Sequence, residues 1–298
     1  MPITDTPLRY PGGKTQMAPL VLDVLRLNGL QQGFYCEPFA GGAGIACKLL
    51  VDGHISEAWI NDIDVSIHAF WHSVLHASDD LCDLIERTPI TIEEWHRQRA
   101  VQDGKRRSVL ALGFSTLFLN RTNRSGILRA GVIGGLEQRG AYALDCRFNR
   151  QDLIRKVRRL AMYKDQIKLT QDDGRDYIAT TVRSLPQKSL VNIDPPYFAK
   201  GPELYTSFFS ADDHADLARA VRAIKRPWLL TYDDAPEIAA LYAGLPSTRM
   251  SLTYYAQVKR RGTELLVAAP GLKLPASIVL TTMQERSQTV QDETVESQ

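Results

Sequence analysis

The chain has 298 residues, 44% of them apolar and 23% charged, enough to bury a sizeable core as one large domain with an insertion or as two domains. It has no run of about 18 apolar residues and no signal peptide, which excludes a membrane span and sets the expectation of a cytoplasmic protein. Its cysteines at 36, 47, 82 and 146 form neither a close pair nor a ligand cluster, so disulfides and a metal centre are not expected.

In chain order, Leu20, Val21, Val24 and Leu25 predict a helix after the Pro11-Gly12-Gly13-Lys14 opening. That opening lacks a P-loop's first glycine, with Leu8 in its place, and no apolar strand precedes it. Phe34-Tyr35-Cys36-Glu37 reads as a strand. The turn Ala40-Gly41-Gly42-Ala43-Gly44 then opens a helix at Ile45, a geometry that lets a ligand approach backbone amides. A second strand, Ala58 to Asn61, ends at Asp62, 18 residues beyond Gly44, a spacing that suits an acid bonding ribose hydroxyls. Cys47 stands where a dinucleotide loop would want glycine, which argues for a smaller nucleoside ligand such as S-adenosyl-L-methionine.

Residues 66 to 120 read as helices, with His68, His72 and His76 on one helix face but no acids or cysteines to complete a metal site. From Arg121 to Asn149 the chain is glycine-rich and irregular, and Leu153, Ile154, Val157, Leu160 and Ala161 then predict a helix with an apolar face opposite a basic one. The formal net charge of +2 conceals an asymmetry. Between Arg97 and Lys168 there are 17 Lys or Arg against 5 Asp or Glu, an excess of 12, so the remainder carries −10. Such a block, including Lys105-Arg106-Arg107, Arg121, Arg124, Arg129, Arg139 and Arg155-Lys156 with Arg158-Arg159, is a footprint for phosphates.

Strand and helix alternate again from Ile167. Ile167–Thr170, Leu190–Ile193 and Trp228–Tyr232 read as buried strands, and residues 251 to 258 and 264 to 269 as an antiparallel hairpin joined around Lys259-Arg260-Arg261-Gly262 at the sheet edge. The predicted fold is α/β, with a mostly parallel sheet carrying one antiparallel edge strand. Beyond about residue 280 a disordered tail is expected.

The most informative segment is Asn192-Ile193-Asp194-Pro195-Pro196-Tyr197 after the apolar Ser189-Leu190-Val191. It can set a carboxylate, rigid backbone carbonyls and a flat ring around a planar amine at the end of a buried strand, a pocket for a flipped nucleobase. Acceptors on the amine hydrogens would make its nitrogen nucleophilic. No cysteine follows a proline, as carbon methylation of cytosine would want.

Taken together, these segments resemble the Dam-type family of DNA adenine methyltransferases. The resemblance runs through Leu8-Arg9-Tyr10-Pro11-Gly12-Gly13-Lys14, the glycine loop Glu37 to Gly44, Asn61-Asp62, the hairpin-like Leu119 to Arg129, and Asp194-Pro195-Pro196-Tyr197. It implies a Rossmann-like methyltransferase domain from residues 1–65 and 165–280, an inserted, mainly helical DNA-recognition domain at 66–164, and a tail at 281–298. It also implies S-adenosyl-L-methionine as cofactor, held by Tyr10, Lys14, Phe39, Gly41, Gly44, Asp62, Asp173 and Asp194. Catalysis would fall to Asp194, Pro195 and Tyr197, and DNA contact to Asn120, Arg121, Arg124, Ser125 and Arg129. Ser125 and Arg124 depart from the family's usual residues, which leaves the target sequence open. Double-stranded DNA is the implied partner, and a cognate restriction endonuclease stays open. So do methylation of the cytosine amine and a DNA-binding protein on a decayed scaffold.

Overall fold

The computed structural model describes residues 4–9, 14–104, 107–198, 209–255, 259–278 and 281–282, the backbone alone at 251–255, 259–261 and 281–282. Eight strands form one sheet: β1 (Phe34–Glu37), β2 (Glu57–Asn61), β3 (Ile167–Thr170), β4 (Ser189–Ile193), β5 (Trp228–Asp233), β6 (Pro246–Tyr255), β7 (Lys259–Ala268) and β8 (Thr281–Thr282). Their order is β3-β2-β1-β4-β5-β7-β6-β8. Strands β1 to β5 are parallel, and β7 runs against both β5 and β6.

Parallel strands covered by helices on both faces need continuous apolar runs, and every residue of β4 and β5 is buried. Successive side chains go to opposite faces. Tyr35, Leu190 and Leu229 join one core; Cys36, Val191 and Leu230 join the other. The first core packs against helices α1 (Ala18–Leu27), α2 (Gly44–Val51) and α3 (Val65–His76), the second against α8 (Gly174–Ser184), α9 (Ala211–Arg222) and α10 (Pro236–Leu241).

Between β2 and β3 the chain forms helices α3, α4 (Ser78–Arg87), α5 (Ile92–Asp103), α6 (Val109–Thr122) and α7 (Arg150–Ala161). Helices α3 and α6 cross closely at Gly113, where a β-carbon would stand 2.4 Å from Ser73 Oγ and 2.5 Å from the Ala69 carbonyl oxygen. The irregular stretch between α6 and α7 contains a short 3₁₀ turn, Arg124–Gly126, and a single bridge between Asn123 and Val132 rather than a paired hairpin. Leu153, Val157 and Leu160 of α7 are buried as the periodicity requires.

The sheet is mostly parallel with an antiparallel edge, as the sequence predicts, and β7, the reversed strand of that edge, lies between β5 and β6 with Leu265, Leu266 and Val267 buried. Two expectations need correction. Lys259 to Gly262 open β7 instead of joining the hairpin, since the ladder continues to the Tyr255 and Lys259 pair. Thr281–Thr282, assigned to a tail, pair with Pro246 and Ser247 of β6, whose outer backbone edge would otherwise lack partners there. The remaining tail residues, 283–298, lie outside the described residues.

Three strand ends are tied together by one side chain. Asn61, wholly buried at the end of β2, donates through Nδ2 to the carbonyls of Pro38 and Asp172, both at 3.0 Å. Its Oδ1 accepts from Thr170 Oγ1 at 2.7 Å and from the Asp172 amide at 2.9 Å. Asn61→Ala strips four groups of a partner at once, and an unmet buried group costs about 1–3 kcal/mol, so urea unfolding of this variant is expected to show a loss of at least about 2 kcal/mol.

Candidate active site

Strand order reverses at β1 and β4, which leave in opposite directions across the sheet, and such switch points leave a crevice at the carboxyl ends of the strands. Asp194-Pro195-Pro196-Tyr197 follows β4 at that place. Asp194 Oδ1 accepts a hydrogen bond from Thr231 Oγ1 of β5 at 2.8 Å and faces Lys14 Nζ at 3.2 Å. Lys14 Nζ is also 3.1 Å from Glu264 Oε1 and donates to the Tyr197 hydroxyl. That hydroxyl lies 2.6 Å from Glu264 Oε1 and 3.3 Å from Asp194 Oδ1, so its single hydrogen goes to the nearer glutamate. Phe198 closes the motif by donating its amide to Asp233 Oδ1 at 3.0 Å.

Lys14, Tyr197 and Glu264 are buried, whereas the Asp194 side chain is 24% exposed. Burial pushes the Glu264 carboxyl upward and Lys14 opposes the rise. The Tyr197 ring is not presented as an open platform. Lys14 Nζ sits 4.7 Å from its centroid, and the Tyr232 ring lies 6.2 Å away, tilted by 32°. Pro195 is buried between Asp194 and Tyr197.

The carboxyl ends of β1, β2 and β3 form the other half of the crevice. Gly41 and Ala43 take positive φ, 48° and 43°, and turn the chain into α2. Asp62 secures that turn, accepting the Gly41 amide on Oδ2 at 2.7 Å and the Asp64 amide on Oδ1 at 2.9 Å. Burial nevertheless pushes its carboxyl up to about 6. A β-carbon on Gly44 would lie 2.3 Å from Thr15 Oγ1, so this glycine serves the packing of the N-terminal segment.

Phe39 lies against Gly174, where a β-carbon would stand 2.3 Å from the ring, and meets the edge of Phe209 at 6.0 Å. Asp173 caps α8 and makes a bidentate pair with Arg175, which holds its carboxyl below the usual range; the neighbouring Asp172 is exposed. Tyr10 lies outside the described residues. The acceptors and apolar ring at these strand ends fit a nucleoside: Asp62 keeps a free lone pair on each oxygen, and Gly174 leaves the ring its room. Among the described residues no group of three or more His, Cys, Asp or Glu is placed to hold a metal ion.

Glu264 and Thr231 were missed in the sequence. A polar residue inside a strand, at the border of its apolar run, as in Leu229-Leu230-Thr231 and Glu264-Leu265-Leu266-Val267, is the signal that marks them. In the sequence Glu37 belongs to the first strand and to the glycine-loop motif, without a role of its own. Its buried carboxyl, pushed up to about 8 by burial, accepts from the Tyr35 hydroxyl at 3.0 Å.

The family description "D12 class N6 adenine-specific DNA methyltransferase" matches residues 10–257. The chain belongs to this family. Its members are adenine-specific DNA methyltransferases, and the resemblance to the Dam type is thereby shown. No curated protein matches. Among solved structures, the rRNA methyltransferase aviRa from Streptomyces viridochromogenes is similar with a TM-score of 0.40 and 15% identity, over 87% of this chain and 86% of its own. TrmN from Thermus thermophilus gives 0.36 and 13%, over 85% of this chain and 49% of its own. The fold assignment rests on the strand order itself.

In this D12 class chain the segment expected to touch DNA divides into two kinds of residue. Asn120 is buried: Oδ1 accepts the Arg9 amide at 2.7 Å, and Nδ2 donates to the carbonyls of Arg9 at 2.7 Å and Gly126 at 2.9 Å. Arg121 donates from Nε and Nη2 to the Pro7 carbonyl, and burial lowers it to about 10. Both hold the segment to the body of the enzyme. Arg124 and Arg129 are exposed, and Ser125, between them in the chain, takes φ of 56°. Lys156, counted in the basic footprint, is buried and paired with Asp152 at 2.8 Å because it lies on the inner side of α7. Asn120→Ala is expected to lower stability by about 1–3 kcal/mol in chemical denaturation, as buried backbone groups lose their partner. Unchanged stability with altered site preference would instead make Asn120 a base reader.

Proposed function

We propose that this D12 class methyltransferase moves the methyl group of S-adenosyl-L-methionine to the N6 amine of an adenine flipped out of double-stranded DNA. The observation that carries this reading is Asp194. It stands at the switch point with one oxygen tied to Thr231 and Lys14 and its side chain still partly open. Asp194 and the Pro195 carbonyl would accept the two amine hydrogens and hold the nitrogen lone pair out of conjugation with the ring. The sulfonium cofactor supplies an activated methyl group when bound. Methyl transfer, with the sulfonium sulfur as leaving group, would leave the nitrogen cationic, and Asp194 would take the proton it sheds. Alignment and charge placement do most of the work.

Asp62 would accept the ribose hydroxyls on its remaining lone pairs, with Phe39 and the exposed Asp172 beside the cofactor's base. By family resemblance Tyr10 and Lys14 complete that pocket. Exposed Arg124 and Arg129 are the arginines of the middle segment able to reach base edges, where a bidentate arginine reads guanine. Phosphates would meet the outer arginines of the inserted domain.

The test is to incubate DNA with labelled cofactor, digest it and identify the nucleoside. N6-methyladenine is expected, while N4-methylcytosine or no product overturns the proposal. Asp194→Ala is expected to abolish the product with folding and DNA binding retained, and turnover near wild type would refute the role of this acid.

Cofactor affinity is expected to depend on pH through Asp62. Its raised carboxyl titrates near about 6, and only the ionised form offers both oxygens as acceptors. Calorimetric affinity should therefore fall as pH drops through this value and flatten in Asp62→Asn. For the free protein the sign is opposite. A carboxyl raised from 3.8 to about 6 binds its proton more tightly when folded, so its share of stability declines as pH rises across that interval.

A further inference from the structure

Asp194 Oδ1 is the only oxygen of the catalytic acid with donors among the described residues, Thr231 Oγ1 at 2.8 Å and Lys14 Nζ at 3.2 Å. The pair locks the carboxylate's rotation and leaves Oδ2 as the oxygen to meet an incoming amine. Lys14 would also be a hindrance if it answered to Asp194 alone, because a full ion pair there competes with the target amine for the same acid. Glu264 prevents this. Its Oε1 shares the ammonium at 3.1 Å, nearly the distance to Asp194, and accepts the Tyr197 hydroxyl at 2.6 Å. The arrangement depends on topology: β7 runs against β5, with Glu264 directly opposite Asp233, so a strand running the other way delivers its carboxylate to the end where the site lies.

We propose that Glu264 is a positioning residue for methyl transfer, which holds Lys14 and Tyr197 through one carboxylate oxygen and so keeps Asp194 available to the target amine. This rests on the reading of Asp194 as the amine acceptor. Two observations favour position over mere packing. Glu264 is 1% exposed in a sheet interior where an apolar residue would pack at no desolvation cost, and its Oε2 is a buried atom with no hydrogen-bond partner. A carboxylate kept under those conditions is there for what it holds.

The experiment uses the full chain and a DNA duplex carrying its methylation site. Glu264→Gln keeps the shape and removes the charge, so Lys14 reverts to Asp194. The expected result is a fall in kcat of roughly 100-fold, the scale for misplacing a reacting group, with DNA KM within about twofold of wild type. Glu264→Asp is expected to recover part of the rate. A thermal melt and circular dichroism report folding. Should Glu264→Gln fail to fold, Tyr197→Phe, which removes the hydroxyl from Glu264 and leaves the ring, takes its place, and a kcat within about twofold of wild type overturns the proposal.

The decisive readout is the double variant. If Glu264 and the Tyr197 hydroxyl act as one unit, Tyr197→Phe with Glu264→Gln loses little more rate than the worse single variant. Fully additive losses, or a wild-type kcat in Glu264→Gln, overturn the proposal. Failure of Asp194→Ala to lose activity would refute the underlying reading instead, and the two failures are separately visible.

Discussion

The constraint on which the rest depends is that the chain lays β1 beside β4 and departs from that junction in both directions. A parallel sheet covered on both faces has nowhere to expose polar chemistry except at the strand ends. The reversal of order opens a gap between the covering helices at one of those ends. Asp62, the glycine turn and Asp194 all stand where an apolar strand runs out, Thr231 reaches Asp194 from within β5, and Asn61 keeps three of those ends in register. Charged groups that would be costly in the core are tolerated there because they satisfy one another: Lys14 lies between two carboxylates and a phenol.

Much of this was legible in the sequence because it is written locally. An apolar run followed by Glu37 to Gly44, or by Asp194 to Tyr197, states in a few residues both the strand and the chemistry at its end. The basic middle and its helices were legible for the same reason. Glu264 was not, since its importance comes from antiparallel pairing with β5, a contact that no local pattern encodes. Asn120 and Lys156 mislead in the opposite way. Polar residues in a basic block suggest a surface, yet each turns inward to meet a backbone group or an acid, and composition cannot distinguish the two directions.

Tyr197 shows how a motif can carry a role and a position that are not the same statement. Its ring was expected to hold a base by the face. Its hydroxyl is instead engaged by Lys14 and Glu264, with Lys14 close over the ring. The phenol is thus part of the electrostatic arrangement around Asp194. A phenylalanine would keep the surface and lose the anchor.

The N-terminal segment joins these parts physically. Thr6 Oγ1 donates to the Gly42 carbonyl of the glycine loop at 2.6 Å, the Pro7 carbonyl receives Arg121, the Arg9 backbone pairs with Asn120, and Lys14 reaches Asp194. Within nine residues the chain therefore touches the glycine turn, the middle segment and Asp194. Gly126 has φ of 77°, and a β-carbon there would lie 2.3 Å from the Arg9 carbonyl, so the middle segment can sit this close only with glycine at that place.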